Sequence, residues 1–289
     1  MKTLALLRAA GGLPGSGVAI LGGPPQPTAR LQAIGIQLYS VRSEMARDFE
    51  GTLARLAVIG YQEVEFAGYF DRRPANVKSI LERYGLAAPS AHVPIDVLRR
   101  DWARTLDAAN IIGHRYIVVP WLPEEDRRTL DDYKRVADEF NRLGAEAKRT
   151  GIRLAYHNHD SEFVPVDGRL PYDFLLAGTV PALVAFELDL MWIAKGGRDP
   201  RAYFRRHPGR FEMVHVKDST GAPDYRQVDV GAGTFDFRSI FDQHEQAGIR
   251  HAFVEHDNPA DPLAFAEASY RHLKDIGLDG RPTTPGRRE

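Results

Sequence analysis

Residues 151–163 read GIRLAYHNHDSEF, and the fold depends on how this stretch is understood. Gly151 stops a long amphipathic segment, DDYKRVADEFNRLGAEAKRTG (131–151), that has helical periodicity. A short apolar run follows, and it ends in two histidines, an asparagine and two acids. Helix, glycine stop, apolar strand and polar strand end together make one helix–strand unit. On an extended strand His157 and His159 share a face, opposite Tyr156 and Asn158. H-x-H alone is a weak metal signal, so the surroundings have to decide what it does.

Working outward, the same unit recurs without a break. Short apolar runs occur at IGIQLYS (34–40), QEVEF (62–66), APSAHV (88–93), YIVVP (116–120), RLAYHNH (153–159), LVAFELD (183–189), FEMVHVK (211–217) and HAFVEHD (251–257). Helical periodicity or a helix start follows each one. In DFEGTLARLAVIGY (48–61), Leu53, Leu56 and Ala57 form one stripe and Gly60 ends it. DPLAFAEASYRHLKDIG (261–277) opens with Asp261 as N-cap and Pro262 at the first helical position, and Gly277 closes it. Eight apolar strands alternating with helices pair in parallel through right-handed crossovers and close into a single (β/α)8 TIM barrel spanning residues 33–278. No G-x-G-x-x-G follows an early strand, which argues against a doubly wound open sheet.

Composition narrows the function. The chain has 289 residues, 43% of them hydrophobic, enough for one large barrel. Its 38 Lys and Arg nearly balance 39 Asp and Glu, so nucleic acid and anionic membrane are not expected partners and a small, neutral or weakly charged molecule is. A homo-oligomer is compatible with the sequence. There is no cysteine, so any metal must be held by nitrogen and oxygen. Residues 1–32, rich in Gly, Pro and Ala, read as a disordered leader or an atypical export signal, which leaves cytoplasmic and exported locations both open. Residues 279–289 read as a disordered tail.

In such barrels the site lies at the C-terminal strand ends, and there this sequence places its unusual residues. They are Gln37 and Tyr39; Glu63 and Glu65; His92; Trp121; His157 and His159; Glu187 and Asp189; His215 and Lys217; Glu255 and Asp257. Inward groups at matching heights on the last four strands are His157, Asp189, His215 and Glu255. Two imidazoles and two carboxylates converging on one point suit one divalent ion, Mn, Co, Zn, Fe or Mg. Without an ion, Asp189 and Glu255 would repel each other and one would take up a proton.

These residues carry a resemblance. IGIQLYSVR, GYQEVEFAGYF, LAYHNHDSEF, FELDLMWIAKGGRDP, HVKD, VGAGTFDF and FVEHD are similar to segments of the xylose-isomerase-like barrel superfamily, and more closely to proteins labelled sugar phosphate isomerase/epimerase. The resemblance implies a metal held from strands five to eight, with Mn favoured. It also implies two glutamates that exchange protons beside a keto group. Asp189, His215 and Glu255 match three of the expected ligands, whereas His157 stands where the family usually has Glu. With His157 as ligand, Glu255 is the one matched carboxylate base. A second base must then come from His159, Glu162, His92 or Glu65, with Glu162 also able to fold back as a substitute ligand. Gln37, Tyr39, Glu65, His92, Trp121, Trp192 and Lys217 are the expected substrate contacts. The resemblance implies an isomerase or epimerase of a keto-sugar or related polyol, acting through an enediolate. The close second is a lyase or dehydratase that eliminates a beta oxygen from a 3-keto-glycoside or keto-inositol after the same first step. A carbohydrate-binding barrel without catalysis is the alternative of another class.

VGAGTFDF (230–237) is glycine-rich before a helix, but its spacing is not that of a P-loop and Asp236 reads as a helix N-cap. No Arg/Lys cluster accompanies it, so a non-phosphorylated sugar is expected.

Overall fold

The computed structural model describes residues 33–278, and the expected leader (1–32) and tail (279–289) lie outside the described residues. Eight parallel strands close into a barrel: β1 Ile34–Gln37, β2 Glu63–Phe66, β3 Ala87–His92, β4 Tyr116–Val119, β5 Arg153–His157, β6 Val184–Asp189, β7 Phe211–Val216 and β8 His251–Val254. Each pairs with its neighbour in sequence, and β8 returns to β1 through Ile34↔Ala252 and Ile36↔Val254. Every apolar run singled out in the sequence coincides with one of these strands, because strands buried on both faces have little room for polar residues.

Alternation along the strands builds two cores. Outward side chains such as Ile36, Val64, Phe66, Leu154, Tyr156, Phe186, Leu188 and Val214 are buried with the helices in the main core. Inward side chains Tyr116, Val118, Ala155, Ala185, Met213 and Phe253 form a separate apolar cluster inside the barrel. Phe253 reaches that interior because β1 offers Gly35, where a Cβ would lie 2.5 Å from the ring. Two residues further along each strand the inward positions turn polar. Ala155 is followed by His157, Ala185 by Glu187, Met213 by His215 and Phe253 by Glu255. The barrel interior is therefore apolar in its middle and ionisable above, with the pairs Glu63–His251 and Glu212–Arg153 at the opposite end.

The helices begin and end where local chemistry dictates. Asp48 caps Phe49–Ile59 by accepting from Gly51 N, and Gly60 ends it at φ 124°. Leu53 and Leu56 on its inner face are wholly buried, worth about 1.5–3 kcal/mol each. Leu130–Arg149 starts with a Thr129–Asp132 capping box, and Pro262–Asp275 is capped by Asp261. After β7 a small antiparallel hairpin pairs Asp218–Ser219 with Gln227–Val228, and the glycine-rich loop follows it. Among the described residues no helix is long and apolar enough to cross a membrane.

Candidate metal centre

At the ends of β5, β6 and β7, His157, Asp189 and His215 are each fixed on one side and face a common point, shared with Glu255 after β8, on the other. His157 ends β5 with Nδ1 3.0 Å from the Pro120 carbonyl. Only a protonated Nδ1 can donate there, so Nε2 carries the lone pair. Asp189 ends β6 and caps the helix Leu190–Lys195, its Oδ1 accepting from Met191 N (2.9 Å) and Trp192 N (2.8 Å). Its backbone N–H donates to Asn158 Oδ1 (3.1 Å), so the neighbour of His157 helps set Asp189. His215 on β7 has Nε2 2.8 Å from Glu65 Oε1, which turns Nδ1 towards Glu255 Oε2 at 2.6 Å.

His157 Nε2, Asp189 Oδ2, His215 Nδ1 and Glu255 Oε2 are buried, and none of them makes a hydrogen bond. They face one another: His157 Nε2 is 3.5 Å and His215 Nδ1 3.9 Å from Asp189 Oδ2, and the whole set lies within 4.8 Å. Lys217 Nζ stands beside the two carboxylate oxygens, 3.1 Å from Asp189 Oδ2 and 2.9 Å from Glu255 Oε2. The four nitrogen and oxygen atoms of the set, one from each of four residues, converging on one point fit a divalent cation with mixed imidazole and carboxylate ligands.

Beneath them a second polar layer closes a square. His92 Nε2 lies 2.7 Å from Glu187 Oε2 and 3.2 Å from Glu65 Oε1, and His215 Nε2 lies 2.8 Å from Glu65 Oε1 and 3.3 Å from Glu187 Oε2. Gln37 Nε2 donates to Glu65 Oε1 at 2.7 Å, and Gln37 Oε1 accepts from Tyr39 N. Burial would lower the His215 pKa, but the Glu187 and Glu255 carboxylates raise it well above the usual imidazole value. Burial would likewise raise Glu187, whose carboxyl the His215 and His92 rings hold low. Glu187 thus pairs with imidazoles and has no ion pair with Lys217. Gln37 and Glu65, expected to touch substrate, lie below the cavity and orient His215 instead. In the strand pattern they look like any other inward strand-end residue, because alternation fixes a side chain's face but not its depth.

Lys217, one inward step above His215, is buried with Nζ 3.1 Å from Asp189 Oδ2, 2.9 Å from Glu255 Oε2 and 2.8 Å from Asp257 Oδ1. Burial opposes its charge, yet the carboxylates hold its pKa above the ordinary lysine value. In return Lys217, ahead of His215, keeps Glu255 well below the usual carboxylate range against the cost of burial. Asp257 is held by Gln227, whose Nε2 donates to Oδ2 and whose Oε1 accepts from Asp257 N. This partnership has no signal in the sequence.

A cavity of about 480 Å³ opens above these groups. Tyr39, His92, Trp121 and Lys217, all expected substrate contacts, line it, and so do His157, His159 and Glu255. His159 packs its ring 5.0 Å from His157 and 5.5 Å from Trp192. Burial, then the charges of His157 and Lys217, lower its pKa to about 3. Trp192 sits behind the wall, its ring 5.4 Å from Lys217 Nζ. Glu162 departs from expectation. Its Oε1 accepts from Tyr156 OH (2.7 Å) on the outward face of β5, and its Oε2 accepts from His159 N (2.9 Å) and Ser161 Oγ (3.1 Å). Both oxygens are engaged in shaping the loop after β5, and Glu162 belongs neither to the cavity lining nor to the four-residue cluster.

The glycine-rich loop also finds a structural partner. The N–H groups of Gly231 (2.9 Å) and Gly233 (3.1 Å) donate to Asp218 Oδ2, and those of Ser219 (2.8 Å) and Phe235 (3.3 Å) to Oδ1. The anion these amides hold is the protein's own carboxylate. A Cβ at Gly233 would fall 2.1 Å from Asp218 Oδ1, so only glycine fits there.

Known proteins share this arrangement of strands. An inosose dehydratase of Lacticaseibacillus casei is 22% identical over 78% of this chain and 88% of its own length. A solved sugar phosphate isomerase/epimerase from Parabacteroides distasonis is 28% identical and superimposes with a TM-score of 0.76, covering 86% of this chain and 99% of its own. The IolI protein, solved with a bound zinc atom, is 12% identical and shares the fold at a TM-score of 0.71, over 87% of this chain and all of its own. Residues 53–276 match the family described as xylose isomerase-like TIM barrel, and the chain belongs to that family.

Proposed function

We propose that this protein is a divalent-metal-dependent enzyme that removes the proton alpha to the ketone of a keto-sugar or keto-polyol and then eliminates a beta oxygen. The observation that carries this reading is the one-sided supply of carboxylate bases. Glu255 lines the cavity from the β8 side, and the other lining carboxylate, Asp257, comes from the same strand end with its oxygens engaged by Lys217 and Gln227. Across the cavity stand Ala67, Pro94, Pro120 and Trp121, which carry no basic group, the Tyr39 phenol, and His92, whose Nε2 is bonded to Glu187. Epimerisation through two carboxylates on opposite faces of a substrate has no second free carboxylate here and would have to draw on the His159 or His92 imidazole. Elimination needs only one base.

An ion held by His157, Asp189, His215 and Glu255 would polarise the ketone and its neighbouring hydroxyl as a Lewis acid, and Mn is our first choice. Glu255 Oε2 faces the ligand set, which leaves the other oxygen of the same carboxylate to accept the alpha proton. The electron pair of the broken C–H bond forms a C=C bond to the carbonyl carbon as the C=O π pair moves to oxygen. When C=O re-forms, the C=C pair shifts to the alpha–beta bond, and the beta oxygen leaves with the electron pair of its C–O bond and takes the proton from Glu255. Lys217 Nζ stands at the cavity wall as a fixed positive charge for the negative charge that develops on oxygen. His159, its pKa lowered to about 3, is neutral at ordinary pH and available as a hydrogen-bond partner. Isomerisation remains the second reading, favoured by the likeness to the Parabacteroides isomerase/epimerase, since Glu255 alone can carry a proton between adjacent carbons on one face.

The test is incubation of Mn-loaded protein in deuterated water with 3-keto-glucosides, keto-inositols and ketohexoses. Release of water or aglycone is the expected result. Deuterium entering the alpha carbon with no elimination from any substrate overturns the lyase reading in favour of isomerisation. No exchange anywhere overturns proton abstraction itself.

A further inference from the structure

The cavity has two unlike halves. Towards β5 to β8 it presents His157, His159, Lys217, Glu255 and Asp257, and towards β1 to β4 it presents Tyr39, Ala67, Pro94, Pro120, Trp121 and the ring of His92, whose Nε2 is turned down to Glu187 and Glu65. Trp121 is 45% exposed and Tyr39 42%, whereas most large apolar side chains of the barrel are buried. An exposed aromatic alone means little, but both of these open into the same cavity as the ionisable groups.

Tyr39 is also held in place. The Arg42 guanidinium lies 4.0 Å over its ring, and Nη1 donates to the Tyr39 carbonyl (2.8 Å) and to the Asp257 carbonyl (2.7 Å). One face of the ring is covered, and the ring is fixed before any ligand arrives. The walls beside it are poor in hydrogen-bonding groups. Pro94 and Pro120 have no N–H, and the Pro120 carbonyl is taken by His157 Nδ1. A hydroxyl-bearing group here would lose its water with little in return, whereas an apolar ring would gain contact on aromatic surface. The cavity, about 480 Å³, is in the range that accommodates ligands well beyond one small ring.

We propose that the substrate is a glycoside of an apolar, aromatic aglycone, with the keto-sugar ring facing Glu255 and Lys217 and the aglycone on the Trp121–Tyr39 half. This rests on the reaction proposed above, whose leaving group would then be the aglycone oxygen.

The test is equilibrium binding to the Mn-loaded full chain of phenyl β-glucoside, methyl β-glucoside and cellobiose, which lack the ketone and so do not turn over. Phenyl glucoside is expected to bind about tenfold tighter than methyl glucoside. Trp121→Ala should bring that ratio close to one with methyl glucoside affinity unchanged, and Tyr39→Ala should reduce it part of the way. Equal affinities, no measurable phenyl glucoside binding, cellobiose matching phenyl glucoside, or a ratio that survives both substitutions would overturn the proposal. The reaction can fail separately. A tenfold phenyl preference without elimination from any keto-sugar leaves the subsite standing, and elimination from keto-inositols with no phenyl preference refutes the subsite alone.

Discussion

Asp189 and Asp218 are both buried carboxylates at the same end of the barrel, and the chain treats them in opposite ways. Asp218 collects four backbone N–H groups on its two oxygens, so nothing about it is left to complete. Asp189 uses one oxygen to cap a helix and turns the other, without a hydrogen bond, towards three further buried atoms in the same condition. Folding thus supplies the partners of the first and half the partners of the second. A buried acid that the backbone satisfies is architecture. A set of acids and imidazoles that each keep one unsatisfied atom, all aimed at one point, is arranged for a guest.

The sharpest way to break this contrast is to neutralise one member of each kind. Glu255→Gln keeps the shape of the side chain and should lower the elimination rate by roughly 10²–10⁴-fold with little change in the urea midpoint. Asp218→Ala should do the reverse. It strips the acceptor from four buried N–H groups and should cost on the order of 3–5 kcal/mol of stability by urea unfolding. If Glu255→Gln unfolds the protein and Asp218→Ala only slows it, the distinction fails.

A smaller effect extends the contrast to imidazoles. His114 is buried with Nδ1 2.6 Å from the Ala88 carbonyl and Nε2 2.9 Å from Tyr69 OH, and burial lowers its pKa to about 4. Unlike His215, its ring has both nitrogens paired. Between about pH 6.5 and 4 the unfolded chain takes a proton at His114 that the folded chain refuses, so this group makes stability rise with pH across that window and adds nothing further above it. The expected loss between pH 7 and 4.5 is roughly 2–3 kcal/mol, read by urea unfolding as the part of the pH dependence that disappears in His114→Gln. An unchanged pH dependence in that variant would remove His114 from the comparison.

Much of the barrel is legible in the sequence, because each strand is an apolar run and each connection carries its own stop and cap, as Gly60 and Asp261 do. The convergence of His157, Asp189, His215 and Glu255 is legible too, since period-two alternation puts them on the inward face and eight strands bring those faces together. What the pattern does not carry is depth and partnership. Glu65 and Gln37 share the inward face with the cavity residues yet sit one layer lower, because the strands tilt and the register shifts between β2 and β3. Glu162 falls in the polar stretch after β5, and only the outward turn of Tyr156 shows where its carboxylate goes. VGAGTFDF resembles an anion-binding loop because it is one, for the Asp218 carboxylate thirteen residues before its first glycine, Gly231.

Phe253 plugs the barrel through the gap left by Gly35, with its ring 6.4 Å from that of His215. The cavity therefore has a floor, and Trp121 and Tyr39 are partly exposed on its wall. In the reaction proposed above, a substrate whose aglycone rests there would be held between that wall and the floor. Departure is then last in, first out, with the fragment nearest the floor leaving last. An aglycone cut loose beside Trp121 would thus leave ahead of the sugar-derived product, and at high concentration it would block that product's exit.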